Sequence, residues 1–537
     1  MIRSFNQNKF ILILLFALSF AFYSSNISGV SIYILDEAKN TECAREMFQR
    51  HDLVVPTFND VLRTDKPPLH YFFMMIAYAL FGVNAFAARF FSALLGALTI
   101  IITCLFTCKH TSRQTALLTA VILLASIHLS IQFHLAVPDP YLIFFFTCGL
   151  IFFYESVLHP CWKYRLPLYV SIGLGTLAKG PVAIGLSGLV FLLFLIFSRR
   201  LNWIFLQKLR PFTGALIVLL IALPWYILAH LKTNGAFTEG FFLKNNINRF
   251  AGEMEGHGGS FLRTILFVLL GMFPFSVFIV QTLRKAWKNR RDDFILFNLL
   301  AAGCVIIFFA CSRTKLPNYT VPAYPFLAIL LGIYLQTVKD KQSNPKVSMW
   351  IYLIISLLMV PGVFIALMTN PSLAAASNAG WFFIPLPLLA LLSFYFWQKR
   401  QTYRSLFAMG ASGVLTAVIF FCLVFPKIDR QNPVVKSIPF IQGKELRYFG
   451  HLNAAFPFNL KQVIPPIRTA QFENFFINHP HGVIITEKRQ LKKVHIAGDI
   501  QPVFVGKDIF GKYTTVLLVR KDEPFPLNHQ SITAETK

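Results

Sequence analysis

Apolar residues in this chain come in long unbroken runs, without the 3.6- or 2-residue alternation of half-buried helices or strands. Taking roughly 20 apolar residues as one bilayer crossing gives about thirteen spans. They lie near 10–32, 86–107, 114–134, 139–158, 165–178, 181–198, 212–231, 261–283, 294–311, 319–337, 348–369, 380–397 and 404–425. The fifth and sixth are short and read equally well as one broken hairpin. The run from Phe10 to Ile32 is too long for a signal peptide and has no convincing small-residue cleavage site, so it is read as a retained span. Beyond Phe425 the long runs stop. A short helical pattern around Ala470–Ile477 and strand-like runs at Val483–Thr486, Ile500–Val505 and Thr514–Arg520 replace them. The expected fold is therefore a polytopic α-helical membrane protein over 1–425, with a small α/β domain over 426–537.

Composition supports this reading: of 537 residues, 55% are hydrophobic and only 14% charged, more apolar surface than a soluble core can bury. The formal charge of +26 suggests nucleic acid until its placement is considered. Lys and Arg fall in alternate short loops, among them Lys109 and Arg113, Arg199 and Arg200, Arg284 and Lys285, and Lys399 and Arg400. The opposite short loops carry only Lys179, Arg313 and Lys315. This is the positive-inside bias of a multispan protein, so the charge reports topology and anionic lipid, with no nucleic-acid partner. An odd number of spans then puts residues 426–537 outside the cytoplasm, together with two long loops, 33–85 and 232–260. The eight cysteines show no metal-ligand spacing, and several lie inside apolar runs, such as Cys104, Cys148, Cys304 and Cys422. No internal repeat is visible.

The residues that carry chemistry gather on that outer face although they are scattered along the chain. The first outer loop opens with LDEAKNTECAREMFQR, whose Ala38, Ala44, Met47 and Phe48 share one face of an expected interfacial helix. Its acidic pair, Asp36 and Glu37, reads either as a helix cap or as a catalytic pair at the membrane surface. In VLRTDKPPLHYFF the two prolines stiffen the loop and hold Asp65 and Lys66 near the membrane. They read as a surface ion pair or as a carboxylate and a cation that meet a lipid phosphate. Asp139 sits between prolines in AVPDPYL, at a depth where a carboxylate needs a partner or a wet cavity. LAKGPV places Lys179 at a turn, and SRTKLPNY adds Arg313, Lys315 and Tyr319. Snorkelling explains any one such cation. Three lysines from three loops on the face that disfavours cations point to an anionic ligand such as a phosphate. The loop NNINRFAGEMEGHGGSF combines Arg249, His257 and four glycines and reads as a lid.

Taken in order, these motifs resemble the GT-C glycosyltransferases, and within them the bacterial 4-amino-4-deoxy-L-arabinose lipid A transferases. LDEAKNTECAREM, DLVVPTF, DKPPLHYF, AVPDPYLIF, LAKGPVAI, INRFAG, HGGSF and TKLPNYTVPAYPFLA carry the likeness through the first ten spans. The resemblance implies a multi-pass protein of the bacterial inner membrane that takes a sugar from undecaprenyl phosphate and transfers it to lipid A on the periplasmic face, with inversion. It implies that Asp36 is the principal catalytic carboxylate, supported by Asp139, and that Lys66, Arg249 and Tyr319 hold the carrier phosphate. Asp65 and His257 match positions that bind a divalent metal ion in the family, where Glu usually stands in place of Asp65. Protein O-mannosyltransferases are related, so a serine or threonine hydroxyl stays open as the acceptor, with Asp36 then the general base. A flippase or transporter is disfavoured, because its ionisable residues belong near mid-membrane and often in inverted repeats. No nucleotide-sugar domain is evident.

Overall fold

The structure is a computed structural model that describes residues 9–247, 259–340, 342–370, 372–491, 499–511 and 513–522. Each expected span falls on a helix, although the first, expected over 10–32, is helical only over Lys9–Tyr23 and continues as turns. Among the described residues, eight helices are long and apolar enough to cross a membrane alone, or up to ten if two bent pairs each count as one span. The pairs are Arg113–Ala125 with Ile127–Phe133, bent by 68°, and Phe261–Gly271 with Phe275–Lys288, bent by 118°. The short fifth and sixth runs form two helices, Trp162–Lys179 and Val182–Phe197, joined at Gly180. Gly180 has φ +80°, and a Cβ there would come within 2.6 Å of the Phe241 ring, so a glycine is required to turn the chain at this point. That turn fixes where Lys179 emerges.

Inside the bundle, side chains such as Phe106, Phe153, Tyr154, Phe194 and Phe297 are buried ring against ring. Leu216, Leu219, Leu220, Ile354 and Leu358 face outward and are exposed, as lipid-facing positions should be, because acyl chains solvate them as well as protein does.

The first outer loop is more ordered than its sequence pattern suggests. It holds the helix Leu35–Arg50, a two-stranded hairpin pairing Thr57–Phe58 with Val61–Leu62, and a second apolar helix, Leu69–Phe81, too short to read as a span. Asn59 and Asp60 at the hairpin tip both have positive φ, 53° and 62°, the conformation of a tight turn between twisted strands. Ala38, Ala44 and Met47 are fully buried, as an apolar face requires, but so are Asn40, Thr41, Glu42 and Arg45. The helix is thus covered on both sides, and the expectation of an interfacial helix with one wet face is corrected. The covering comes from the C-terminal domain: Arg45 Nη1 donates to the Lys461 carbonyl, 3.2 Å, and Asn59 exchanges hydrogen bonds with the Ile464 backbone.

That domain is built on a four-stranded sheet in the order Leu446–Phe449, Val483–Glu487, Thr514–Arg520, Ile500–Lys507. The first pair is parallel and the others antiparallel. The alternation of strand side chains divides its apolar residues. Ile484, Val516 and Leu518 pack with Phe472, Phe475 and Phe476 of the helix Phe472–Asn478. Val483, Ile485, Leu517 and Val519 join the core that runs on into the membrane bundle. The last span also continues past the expected boundary, since its helical run extends to Asp429. There Asp429 accepts hydrogen bonds from the Ser31 backbone and hydroxyl at 2.8 and 2.6 Å, tying the end of the last span to the loop after the first.

Candidate active site

Asp36 is the second residue of its helix and does not cap it; Ile34 holds the cap position and makes no side-chain bond there. Not engaged in capping, the half-exposed carboxylate faces two cations. Arg63 Nη2 donates to Asp36 Oδ1 at 3.4 Å, and Lys66 Nζ lies 3.7 Å from Oδ2. Partial burial raises the Asp36 pKa, but Lys66, Arg63 and Lys179 together outweigh it and hold the carboxyl at about 2. A carboxylate depressed in this way stabilises the fold above the ordinary Asp range and loses that contribution as pH falls from about 4 towards 2. It is ionised throughout the physiological range.

Across the site, Asp139 opens the helix Asp139–Leu158 directly after Pro138 and is almost fully buried. Its Oδ1 accepts from Lys179 Nζ at 2.6 Å and from Asn318 Nδ2 at 2.9 Å. The Lys179 ammonium also lies over the Tyr319 ring, 5.4 Å from its centre. Three separate segments therefore meet at one carboxylate. Lys179 is among the charges that act on Asp36, while Lys66 and Asp36 act on Lys179, so the two halves are electrostatically one site.

Two expected members are not brought into this cluster. Glu37 is buried in a bidentate pair with Arg89, 2.7 and 2.8 Å, and also accepts the Ala136 N–H at 2.9 Å. Arg89 in turn donates to the carbonyls of Ile27, Val30 and Ser31. Both oxygens of Glu37 are thus engaged, tying the loop after the first span to Arg89 and to the Ala136 backbone. Lys315 is buried, with Nζ donating to the Ala310 and Ser312 carbonyls at 2.8 and 2.6 Å, which closes the end of its preceding helix. Glu37→Ala is expected to destabilise the protein by about 3–5 kcal/mol, since it strands a buried guanidinium. Thermal unfolding in detergent checks this; an unchanged melting temperature with lost activity would return Glu37 to the chemistry.

Arg249 and His257 lie outside the described residues. Asp65, the other expected metal ligand, has both oxygens engaged: Oδ2 accepts from Arg63 Nε at 3.0 Å and Oδ1 from Asn245 Nδ2 at 3.4 Å. Arg63 is the main cause that lowers its pKa against the opposing effect of burial. Among the described residues no three His, Cys, Asp or Glu side chains converge to hold a metal ion. With Asp65 paired to a guanidinium and His257 outside the described residues, no step is derived through a divalent cation.

Comparison with known proteins agrees with this architecture. Residues 13–236 match the dolichyl-phosphate-mannose-protein mannosyltransferase family. An uncharacterized protein of Aquifex aeolicus is 31% identical over 324 residues, covering 60% of this chain and 73% of the relative. The undecaprenyl phosphate-alpha-4-amino-4-deoxy-L-arabinose arabinosyl transferase of Pseudomonas aeruginosa is 29% identical over 319 residues, 58% of this chain and 57% of that protein's length. The crystal structure of ArnT from Cupriavidus metallidurans bound to undecaprenyl phosphate superposes with a TM-score of 0.76 at 21% identity, covering 95% of this chain and 98% of the other. From its helical bundle to its C-terminal sheet the chain shares the fold of that membrane transferase, and residues 13–236 carry the match to the mannosyltransferase family.

Proposed function

We propose that this enzyme transfers an amino sugar of the 4-amino-4-deoxy-L-arabinose class from undecaprenyl phosphate to a phosphate of lipid A, at the periplasmic face of the inner membrane. The observation that carries the acceptor assignment is the environment of Asp36. A carboxylate held at about 2 by two adjacent cations is a poor base. General-base catalysis on a serine or threonine hydroxyl calls for a pKa nearer the working pH, so the protein acceptor open to the related mannosyltransferases fits this site badly. A phosphate monoester, with its second pKa near about 6, is already a nucleophile.

The reaction then needs no proton transfer. The acceptor phosphate oxygen attacks the anomeric carbon, its bond to the carrier phosphate breaks, and the dianionic charge passes from acceptor to departing undecaprenyl phosphate. What the site must supply is stabilisation of charge building on the leaving phosphate. Lys66, lying 14% exposed at the mouth, and Lys179 supply it in this reading. Asp36 faces the positive charge that develops on the sugar ring, and attack from the opposite side inverts the anomeric centre. Asp139 holds Lys179 and Asn318 in place, and Tyr319 closes the wall beside them.

Mass spectrometry of lipid A from cells with and without the gene tests the assignment. Loss of a pentosamine or hexosamine mass from a lipid A phosphate is the expected result. Unchanged lipid A together with loss of a glycan from an envelope protein would replace it.

A further inference from the structure

We infer that Arg63 is a positioning residue for the transfer: one buried guanidinium sets Asp36 and Asp65 in a fixed geometry and fills, as a built-in cation, the place beside Asp65 that a divalent ion would require. The inference rests on the proposed reading for its catalytic consequence and on geometry alone for its electrostatic one. Arg63 follows the hairpin directly. Its backbone N–H donates to the Pro56 carbonyl at 2.9 Å, and the turn is anchored through Asn59 to Ile464. The side chain is 5% exposed and uses its whole fork: Nε to Asp65, Nη2 to Asp36, and Nη1 to Asn40 Oδ1 at 2.8 Å, with the Tyr71 hydroxyl at 3.4 Å.

Two carboxylates that share a site without a cation repel, and one of them protonates. Arg63, together with Lys66, opposes this, and its own charge neither titrates nor dissociates. Its planar fork also does what a lysine cannot, because it bridges both acids and stays fixed to Asn40 on the Asp36 helix. Asp36 therefore remains an anion between Arg63 and Lys66, poised on the side where sugar and carrier phosphate meet. A metal ion at Asp65 would have to sit beside the guanidinium that already holds Oδ2, charge against charge.

The test uses the full chain purified in detergent, with three measurements. These are zinc content by elemental analysis, binding of undecaprenyl phosphate alone, and transfer from the aminoarabinosyl carrier to lipid A. The unaltered protein is expected to hold no stoichiometric zinc, and chelator should change neither carrier binding nor transfer. Arg63→Gln removes charge-assisted bonds, so kcat should fall roughly ten- to a hundredfold with donor KM within about twofold. Arg63→Lys keeps the charge but not the fork and should fall between the two. One equivalent of zinc in the unaltered protein that Asp65→Ala removes would overturn the inference, as would full kcat in either Arg63 variant. If the unaltered protein transfers nothing from that donor, the functional reading fails instead, and the zinc and carrier-binding measurements still decide the place of Arg63.

Discussion

Asp36→Asn is expected to lower transfer by roughly two to three orders of magnitude, the size of effect seen when one preorganised electrostatic group is removed from an active site. The fold should survive. The side chain is 43% exposed, it does not cap its helix, and asparagine keeps the shape while losing the charge. Turnover with lipid A and carrier-linked sugar, measured beside a melting curve, separates the two. Since Asp36 is held ionised well below neutrality, its loss should lower the rate evenly between pH 5 and pH 8. An acidic limb that disappears in the variant would mean that Asp36 titrates in that range and acts as a base, and the hydroxyl-acceptor chemistry would regain its claim. Wild-type turnover in this variant would remove Asp36 from the mechanism.

The second large effect is at Asp139, where stability and chemistry are entangled and a double variant separates them. Asp139→Ala leaves the Lys179 ammonium, 16% exposed, without its carboxylate, and breaking a buried pair from one side costs about 3–5 kcal/mol. Replacing both partners by apolar residues of similar size, Asp139→Leu with Lys179→Met, removes the stranded charge and should recover most of that loss. Transfer should not recover, because the lysine that faces the leaving phosphate is gone. A double variant that is both stable and active would show that the pair serves only to close the Asp139 helix against the Lys179 turn.

Much of this site is legible without coordinates because membrane topology sorts residues before geometry does. Asp36, Lys66, Asp139 and Lys179 come from three distant stretches, yet each lies at the outer end of a span or in an outer loop, and the structure gathers them. Arg63 is different. It stands two residues from Asp65, and nothing in a loop arginine's neighbourhood says that a hairpin will turn it inward beneath two carboxylates. Asn318 is hidden for the same reason, since its amide meets Asp139 across a separation that no local pattern encodes. The pairing of Glu37 with Arg89 was within reach. An arginine near the start of a long apolar helix requires a partner, and an acidic residue just after the first span is available to it. Glu37 and Asp36 are chain neighbours, but the helix points them in different directions, one to the loop scaffold and one to the site. The strand Leu446–Phe449 is not legible in the sequence because four residues beside a parallel neighbour carry little alternation.

The meeting of the first outer loop with the C-terminal domain also orders the birth of the protein. Asn59, Arg45 and the Ile32 carbonyl emerge early from the ribosome, yet their partners are the backbone of Ile464, the Lys461 carbonyl and the Asn459 side chain. A nascent chain that has passed only its early spans across the bilayer therefore presents these groups to water or to chaperones, with the loop that carries Arg63 not yet clamped. The loop is clamped only once the segment around Ile464, 405 residues behind Asn59, has been made and has folded against it. Until then Arg45 and Asn59 lack the backbone partners that hold the loop carrying Arg63 against the C-terminal domain.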